Sequence, residues 1–225
     1  MAFRDSFFHR YIKFVRMHIP IAESLRHLLF VAPYALYGFV GIRNAPKNLP
    51  LKIVPGASGV FSKGWYPLEY PFFNLLKMSS WQKWLGAKKA KAILMEHVLE
   101  HFEEQAIFEI LVNCKQFLDS GGVVRIAVPD GYNPSKEYIE YVKPGGFGIG
   151  SESHEVLLTY KTIKSIIERA GLECSLIEYY DEHGQFTKNT CDAKYGKIKR
   201  DSLAKHHMKL PENYTSLIVD AIRKD

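Results

Sequence analysis

The sequence predicts an α/β fold in which helices pack on a mostly parallel sheet. Short apolar runs alternate with amphipathic runs along the chain, a pattern typical of strands that alternate with helices. Glycine or proline follows several of these runs, where it marks a turn. The chain has 225 residues, of which 47% are hydrophobic. This suits one globular domain with a full core and an appendage.

Six apolar runs are expected to form strands. They are residues 51–56, 65–69, 90–96, 123–130, 172–180 and 214–222. Two helices are predicted over 103–120 and 160–170, where apolar residues recur at spacings of three and four. Gly121-Gly122 is expected to end the first helix. Thr159 and Gly171 are expected to cap and end the second.

Residues 1–50 are predicted to form an N-terminal helical extension, and residues 51–225 the main domain. The apolar stretch 28–42 is shorter than the roughly 20 residues that span a bilayer. We therefore expect it to pack on the domain or on a partner. The alternative is a peripheral membrane contact through residues 1–45, because a basic amphipathic run precedes the apolar stretch.

Composition limits which classes of partner and which cellular compartment are expected for this chain. The formal net charge is +6, but no long Lys/Arg run interleaves with aromatics, so nucleic acid is not an expected partner. The three cysteines, Cys114, Cys174 and Cys191, lack metal-binding or disulfide spacing. They indicate reduced thiols in the cytoplasm, with membrane association left open.

The segment His97-x-x-Glu100-His101 permits two interpretations. On a helix, two histidines four residues apart could share a zinc ion with the glutamate beside them. Here, however, His97 directly follows the apolar run 90–96, and the helical pattern begins only near residue 103. The sequence therefore favours a loop at the end of a strand. It offers no complete set of metal ligands, so we expect no metal and no effect of a chelator.

Five motifs then carry a family resemblance. In order they are PGASG (55–59), GWYPLE (64–69), HVLEH (97–101), GGVVRIAVPD (121–130) and YTSLIVDA (214–221). From residue 51 onwards the chain resembles class I S-adenosylmethionine-dependent methyltransferases, and most closely a subgroup linked to glycan biosynthesis. The resemblance implies a Rossmann-like sandwich, mostly parallel with an antiparallel C-terminal strand, and S-adenosylmethionine as cofactor.

The resemblance also implies which residues bind the cofactor. Gly56, Ala57 and Ser58 correspond to the glycine-rich loop, although Ser58 stands where the family commonly has glycine. Glu69 corresponds to the acidic residue that accepts hydrogen bonds from both ribose hydroxyls, as in dinucleotide folds. The remaining positions are Asn74 beside the adenine, and Met95, Glu96 and His97 at the methionine end of the cofactor.

The proton acceptor for an alcohol substrate is expected among Asp130, His154 and His97. Asp130 ends a strand, His97 follows one, and His154 lies in a glycine-rich loop. The leading hypothesis is an O-methyltransferase that acts on a hydroxyl of a sugar, glycan or activated sugar. Two alternatives stay open. One is a lipid or small apolar acceptor. The other is a catalytically inactive methyltransferase-like module in a glycan-assembly complex.

Overall fold

The computed structural model describes residues 23–46, 48–59, 61–203 and 214–224. Within them the strands form one sheet, in the order β2-β1-β3-β4-β7-β5-β6. The strands are β1 (Leu51–Pro55), β2 (Tyr66–Leu68), β3 (Ala90–Glu96), β4 (Leu118–Pro129), β5 (Glu173–Tyr180), β6 (Phe186–Lys188) and β7 (Ser216–Ile222).

The strand directions confirm the predicted Rossmann-like sandwich. Strands β2, β1, β3 and β4 are parallel to one another, and β7 runs antiparallel to both β4 and β5. Strand β5 therefore points the same way as the first four, and β6 pairs with it as an antiparallel edge. The antiparallel C-terminal strand is thus inserted between two strands of the main direction.

The helices are α1 (Glu23–Asn44), α2 (Met78–Leu85), α3 (Glu104–Phe117), α4 (Lys136–Val142) and α5 (Tyr160–Arg169). Helices α2, α3 and α5 contribute their apolar sides to the main core on one face of the sheet. The opposite face packs against helix α1 through Tyr34, and against irregular segments around Trp65, Tyr195 and Ile198. The segment between β6 and β7 therefore covers part of this face.

The predicted capping of α5 is confirmed, but the predicted end of α3 is wrong. Thr159 accepts a hydrogen bond from the N–H of Thr162, and Gly171 follows α5 with a φ of +74°. Helix α3 ends at Phe117, before the glycine pair, which lies inside β4. Sheet pairing decides this, because Gly121 donates its N–H to the carbonyl of Arg223 at the end of β7.

Helix α1 packs closely against the sheet edge at β2. A Cβ atom on Gly38 would collide with the carbonyl oxygen of Pro67, and one on Gly41 would lie 2.5 Å from the ring of Tyr66. Lys88 donates to the carbonyls of residues 42, 43 and 45 at the C-terminal end of α1. Such a cation favours the negative end of a helix.

The apolar stretch 28–42 thus lies on the domain as expected. Its residues Val31, Tyr34, Ala35 and Ile42 are buried. No helix in the described ranges is long and apolar enough to cross a membrane. The basic run that suggested a peripheral membrane contact lies at residues 9–18, outside the described residues, and the contact stays a prediction.

A buried ion pair joins β4 to β7. Nε and Nη2 of Arg125 donate to the two carboxylate oxygens of Asp220 at 2.8 and 2.7 Å. Nη1 of Arg125 donates to the carbonyl of Gly196 at 2.5 Å. The guanidinium therefore connects the sheet to the segment that covers it.

Asp220→Ala should lower the free energy of unfolding by about 3–5 kcal/mol, because it leaves the Arg125 guanidinium buried without its anion. Urea denaturation followed by circular dichroism measures this loss. Glu168→Ala is the control, since Glu168 lies 3.9 Å from Lys164 in an exposed ion pair and exposed pairs contribute little. Equal effects of the two substitutions would contradict the assignment.

Candidate active site

Cavities open at the carboxyl ends of β1, β2 and β3, where parallel α/β sheets bind their ligands. The loop cavity, of about 230 Å³, is lined by residues 54–58, Leu94, Glu96, His97, Lys199 and Arg200. The apolar cavity, of about 330 Å³, shares Pro55 and Gly56 with it. The histidine cavity, of about 140 Å³, shares His97 and Arg200 with the loop cavity. The loop cavity therefore adjoins both of the others.

The glycine loop after β1 turns tightly because three of its residues have positive φ. The φ values are +65° at Gly56, +46° at Ser58 and +81° at Gly59. A Cβ on Gly56 would lie 2.9 Å from Cγ2 of Val98, so only glycine fits without a shift. Ser58 adopts a left-handed conformation that is uncommon for a residue with a side chain. The loop has the shape expected of a glycine-rich loop even where serine replaces glycine.

Glu69 lies under this loop and is almost fully buried. Burial raises the pKa of Glu69 to about 7, although hydrogen bonds from the N–H groups of Ser58 and Gly59 oppose the rise. Its Oε1 has no hydrogen-bond partner among the described residues. Glu69 is absent from the lining of the loop and apolar cavities. It is therefore a buried acceptor next to the glycine loop, with one oxygen unsatisfied.

The apolar cavity extends from the glycine loop along Tyr70, Phe73, Val98 and Phe102. Asn74 lines it, and its Oδ1 accepts a hydrogen bond of 2.9 Å from the N–H of Leu76; its expected place beside the adenine stays a prediction. The indole N–H groups of Trp81 and Trp84 donate to the carbonyls of Leu75 and Phe72. These hydrogen bonds hold the wall of the apolar cavity in place from the core side.

Two predicted cofactor-binding residues at the end of β3, Met95 and Glu96, face opposite sides of the sheet. Met95 is fully buried in the main core and does not line the loop cavity, contrary to the prediction. Side chains alternate along a strand, so its neighbours Leu94 and Glu96 face the cavity instead. The carboxylate of Glu96 accepts hydrogen bonds of 3.0–3.1 Å from the N–H groups of Lys199 and Arg200. Glu96 therefore fixes one wall of the cavity.

His97 directly follows β3, which confirms that it lies in a strand-end loop. Its φ is +54°, and its N–H donates to the carbonyl of Ala127 at 2.8 Å. Nδ1 lies 2.9 Å from Oε1 of Glu100, and Nε2 lies 3.1 Å from Oγ of Ser216. Both ring nitrogens therefore have partners. The ring separates the loop cavity from the histidine cavity.

Asp130 does not lie with the predicted histidines. It is fully buried, and its two carboxylate oxygens accept hydrogen bonds from the N–H groups of Tyr132 at 2.9 Å and Tyr180 at 2.7 Å. Burial raises the pKa of Asp130 to about 6, against the effect of these two hydrogen bonds. It is absent from the lining of all three cavities. Asp130 therefore joins the ends of β4 and β5 instead of facing a substrate.

His154 does line the histidine cavity, together with His101 and Glu100. Nδ1 of His154 donates to the carbonyl of Val142 at 2.7 Å, which leaves Nε2 as the lone-pair nitrogen. The rings of His101 and His154 lie 4.9 Å apart, edge to face. One potential ligand atom from each of Glu100, His101 and His154 lies within 4.8 Å of the others.

Glu100 lines the histidine cavity, although the sequence placed it only in a loop at the end of a strand. Burial opposes its ionisation, but the hydrogen bond and charge of His97, with the charge of His101, outweigh this effect and lower the pKa of Glu100. The sequence signal that could have identified Glu100 is the HVLEH motif (97–101). Arg200 and Tyr214, which also line the histidine cavity, carry no comparable local signal.

No protein-family model matches the sequence, and no curated protein matches it. Among solved structures, LepI in complex with SAM is 13% identical with a TM-score of 0.45, and the match covers 86% of this chain and 41% of LepI. The chain thus spans about two fifths of that protein.

Two further similar structures match over nearly their whole lengths. A SAM-dependent methyltransferase from Archaeoglobus fulgidus is 14% identical with a TM-score of 0.45, over 97% of this chain and 100% of the other. One from Thermotoga maritima is 12% identical with a TM-score of 0.45, over 96% and 99%. The strand order and directions of this chain define its fold.

Glu96→Ala should expose the backbone at Lys199 and Arg200, because the N–H groups of both residues lose their carboxylate. Losing even ~1.4 kcal/mol of local stability would raise the open population about tenfold. Limited trypsin digestion with mass spectrometry measures cleavage after these two residues. Glu182→Ala, which removes an exposed pair with Lys161, is the control, and equal cleavage rates in both variants would refute the role of Glu96.

Proposed function

We propose that this chain is an S-adenosylmethionine-dependent O-methyltransferase whose acceptor hydroxyl belongs to a sugar, a glycan or an activated sugar. The observation that carries the proposal is the arrangement of the three cavities. A cofactor in the loop and apolar cavities would adjoin an acceptor in the histidine cavity, because His97 and Arg200 line both sides of the boundary. Group transfer needs this proximity of donor and acceptor.

The residues present fit the cofactor. Gly56 leaves room that a Cβ would fill, and the apolar cavity between Tyr70 and Val98 suits a flat adenine ring. The unsatisfied Oε1 of Glu69 could accept a ribose hydroxyl after a small movement of the loop. Lys199 and Arg200 line the loop cavity and provide cations for the methionine carboxylate.

The cofactor supplies an activated methyl group on a sulfonium, so the protein has to position the acceptor and exclude water. Among the three predicted proton acceptors, the described contacts favour His154. Both ring nitrogens of His97 are engaged, and both carboxylate oxygens of Asp130 accept backbone hydrogen bonds. Nε2 of His154 has no hydrogen-bond partner among the described residues and belongs to a cavity-lining ring.

The acceptor class rests on the lining of the histidine cavity. Tyr141 and Tyr214 contribute aromatic rings, and Ser151, His154 and Arg200 contribute polar groups. Rings combined with hydrogen-bonding groups suit a polyhydroxylated acceptor better than an acyl chain. An inactive cofactor-binding module is the second candidate, favoured by the serine in the glycine loop.

The chain should bind S-adenosylmethionine, and affinity should fall as pH falls below about 7. The pKa of Glu69 in the free protein is raised to about 7, and an ionised carboxylate accepts ribose hydroxyls more strongly than a protonated one. Binding therefore favours the deprotonated form and is strongest above pH 7. Below it the affinity should weaken towards tenfold per pH unit.

Isothermal titration calorimetry between pH 5.5 and 8 measures this dependence. Glu69→Gln should flatten the pH profile, and Glu69→Ala should weaken binding by about tenfold or more. The cofactor should also raise the melting temperature of the wild-type chain. Absence of binding at every pH would refute the cofactor assignment.

His154→Gln should lower methyl transfer by a factor on the order of 10²–10⁴, because it removes the proton acceptor. Cofactor affinity should stay close to wild type. Transfer of labelled methyl from S-adenosylmethionine to a panel of nucleotide sugars and free glycans measures the effect. The exposed His183 gives the matched control His183→Gln. No transfer by the wild type to any panel member, with cofactor binding intact, would favour the inactive module.

A further inference from the structure

Three side chains in the histidine cavity form a cluster that sequence spacing does not reveal. Glu100, His101 and His154 each present a potential ligand atom, and these atoms lie within 4.8 Å of one another. Glu100 is buried, and the two histidines are partly buried. We propose that these residues bind one divalent transition-metal cation such as Zn²⁺.

The hydrogen bonds of both histidines prepare them as ligands. Nδ1 of His154 lies 2.7 Å from the carbonyl of Val142. Nδ1 of His101 lies 3.1 Å from the carbonyl of Ser153 and 3.0 Å from its Oγ, whose hydroxyl donates to the carbonyl of Gly150. A carbonyl can only accept, so each Nδ1 carries the proton and each Nε2 carries the lone pair. A ligating histidine commonly donates its other N–H in this way, which fixes the ring and its tautomer.

The carboxylate of Glu100 gives an independent indication of a ligand. Glu100 is 1% exposed, yet its Oε2 has no hydrogen-bond partner among the described residues. Leaving a buried carboxylate oxygen unsatisfied is unfavourable, and a cation would satisfy it. Nδ1 of His97, 2.9 Å from Oε1, would then hold the other oxygen in place.

Backbone contacts hold the two loops that carry the cluster. Glu155 donates its N–H to the carbonyl of Glu100 at 2.8 Å, which joins the loop after β3 to the loop that contains His154. Ligands of a cation about 2.1 Å away lie roughly 3–3.5 Å from one another. The largest separation in the cluster therefore has to shrink by up to roughly 1.3–1.8 Å, a movement within the reach of side-chain rotation.

The type of ligand selects the cation. Two imidazoles and one carboxylate suit Zn²⁺ and other first-row transition metals, whereas Mg²⁺ and Ca²⁺ prefer oxygen ligands. Three protein ligands leave coordination positions open, as in catalytic metal sites. If the proposed function holds, Nε2 of His154 would bind the cation instead of taking a proton, and an acceptor hydroxyl in an open position would lose its proton to solvent more readily. Metal binding itself does not rest on that function.

The test uses the full-length chain, purified with chelator and then freed of it. Calorimetric titration with Zn²⁺ should show one strong site per chain, and Co²⁺ should give visible absorption bands of a cation bound by the protein. His101→Ala and His154→Gln should each weaken Zn²⁺ binding by at least about 100-fold, given that even outer partners of metal ligands contribute 10–100-fold. His183→Gln should bind Zn²⁺ as the wild type does.

Two outcomes would overturn the proposal. One is a wild-type chain that binds neither Zn²⁺ nor Co²⁺. The other is a strong site that both variants retain, which would place the metal on other histidines. Circular dichroism of each variant confirms folding, and His101 is partly exposed, so its replacement tests the site even if changes nearer the core disrupt folding. Titration of the same samples with S-adenosylmethionine separates failure of the metal site from failure of the proposed cofactor.

Discussion

The turn at His97 is the constraint on which the rest of the site depends. Strand β3 ends there because the backbone takes a φ of +54° while its N–H still bonds to Ala127 on β4. The ring then bridges Ser216 of β7 and Glu100 of the following turn. One residue thus connects the sheet to the turn, directs Glu100 towards the histidine cavity and forms the boundary between the two proposed substrates.

Four acidic groups lie around this turn and the neighbouring strand ends, three of them buried and Glu96 partly buried, and each has a different use. Asp130 is satisfied by two backbone N–H groups, so it connects strands and needs no ligand. Glu96 is satisfied by the backbone at Lys199 and Arg200, and it converts an irregular segment into a wall. Glu69 and Glu100 each keep a buried oxygen without a partner. Leaving a buried acceptor unsatisfied costs free energy unless something binds it. This cost supports the proposal that both residues bind ligands.

Local patterns predicted positions well and side-chain directions poorly. The strand end at Glu96-His97 and the cap at Thr159 follow from residue spacing and side-chain chemistry within a few positions. Met95 was misplaced because a strand end identifies an edge of the sheet but not which face an alternating side chain takes. Asp130 was expected to face the substrate, and its contact with Tyr180 depends on β5, which helices α4 and α5 separate from it along the sequence.

The sequence by itself determined the alternating strands and helices, the glycine loop, the acidic Glu69 and the placement of HVLEH outside an α-helix, since these depend on neighbours within a few residues. Only the tertiary structure decided the pairing of β7 between β4 and β5, the satisfaction of Asp130 and the meeting of His154 with Glu100 and His101. These contacts join residues far apart along the chain. Their geometry comes from sheet register and from backbone hydrogen bonds such as that between Glu155 and Glu100, which no local pattern encodes.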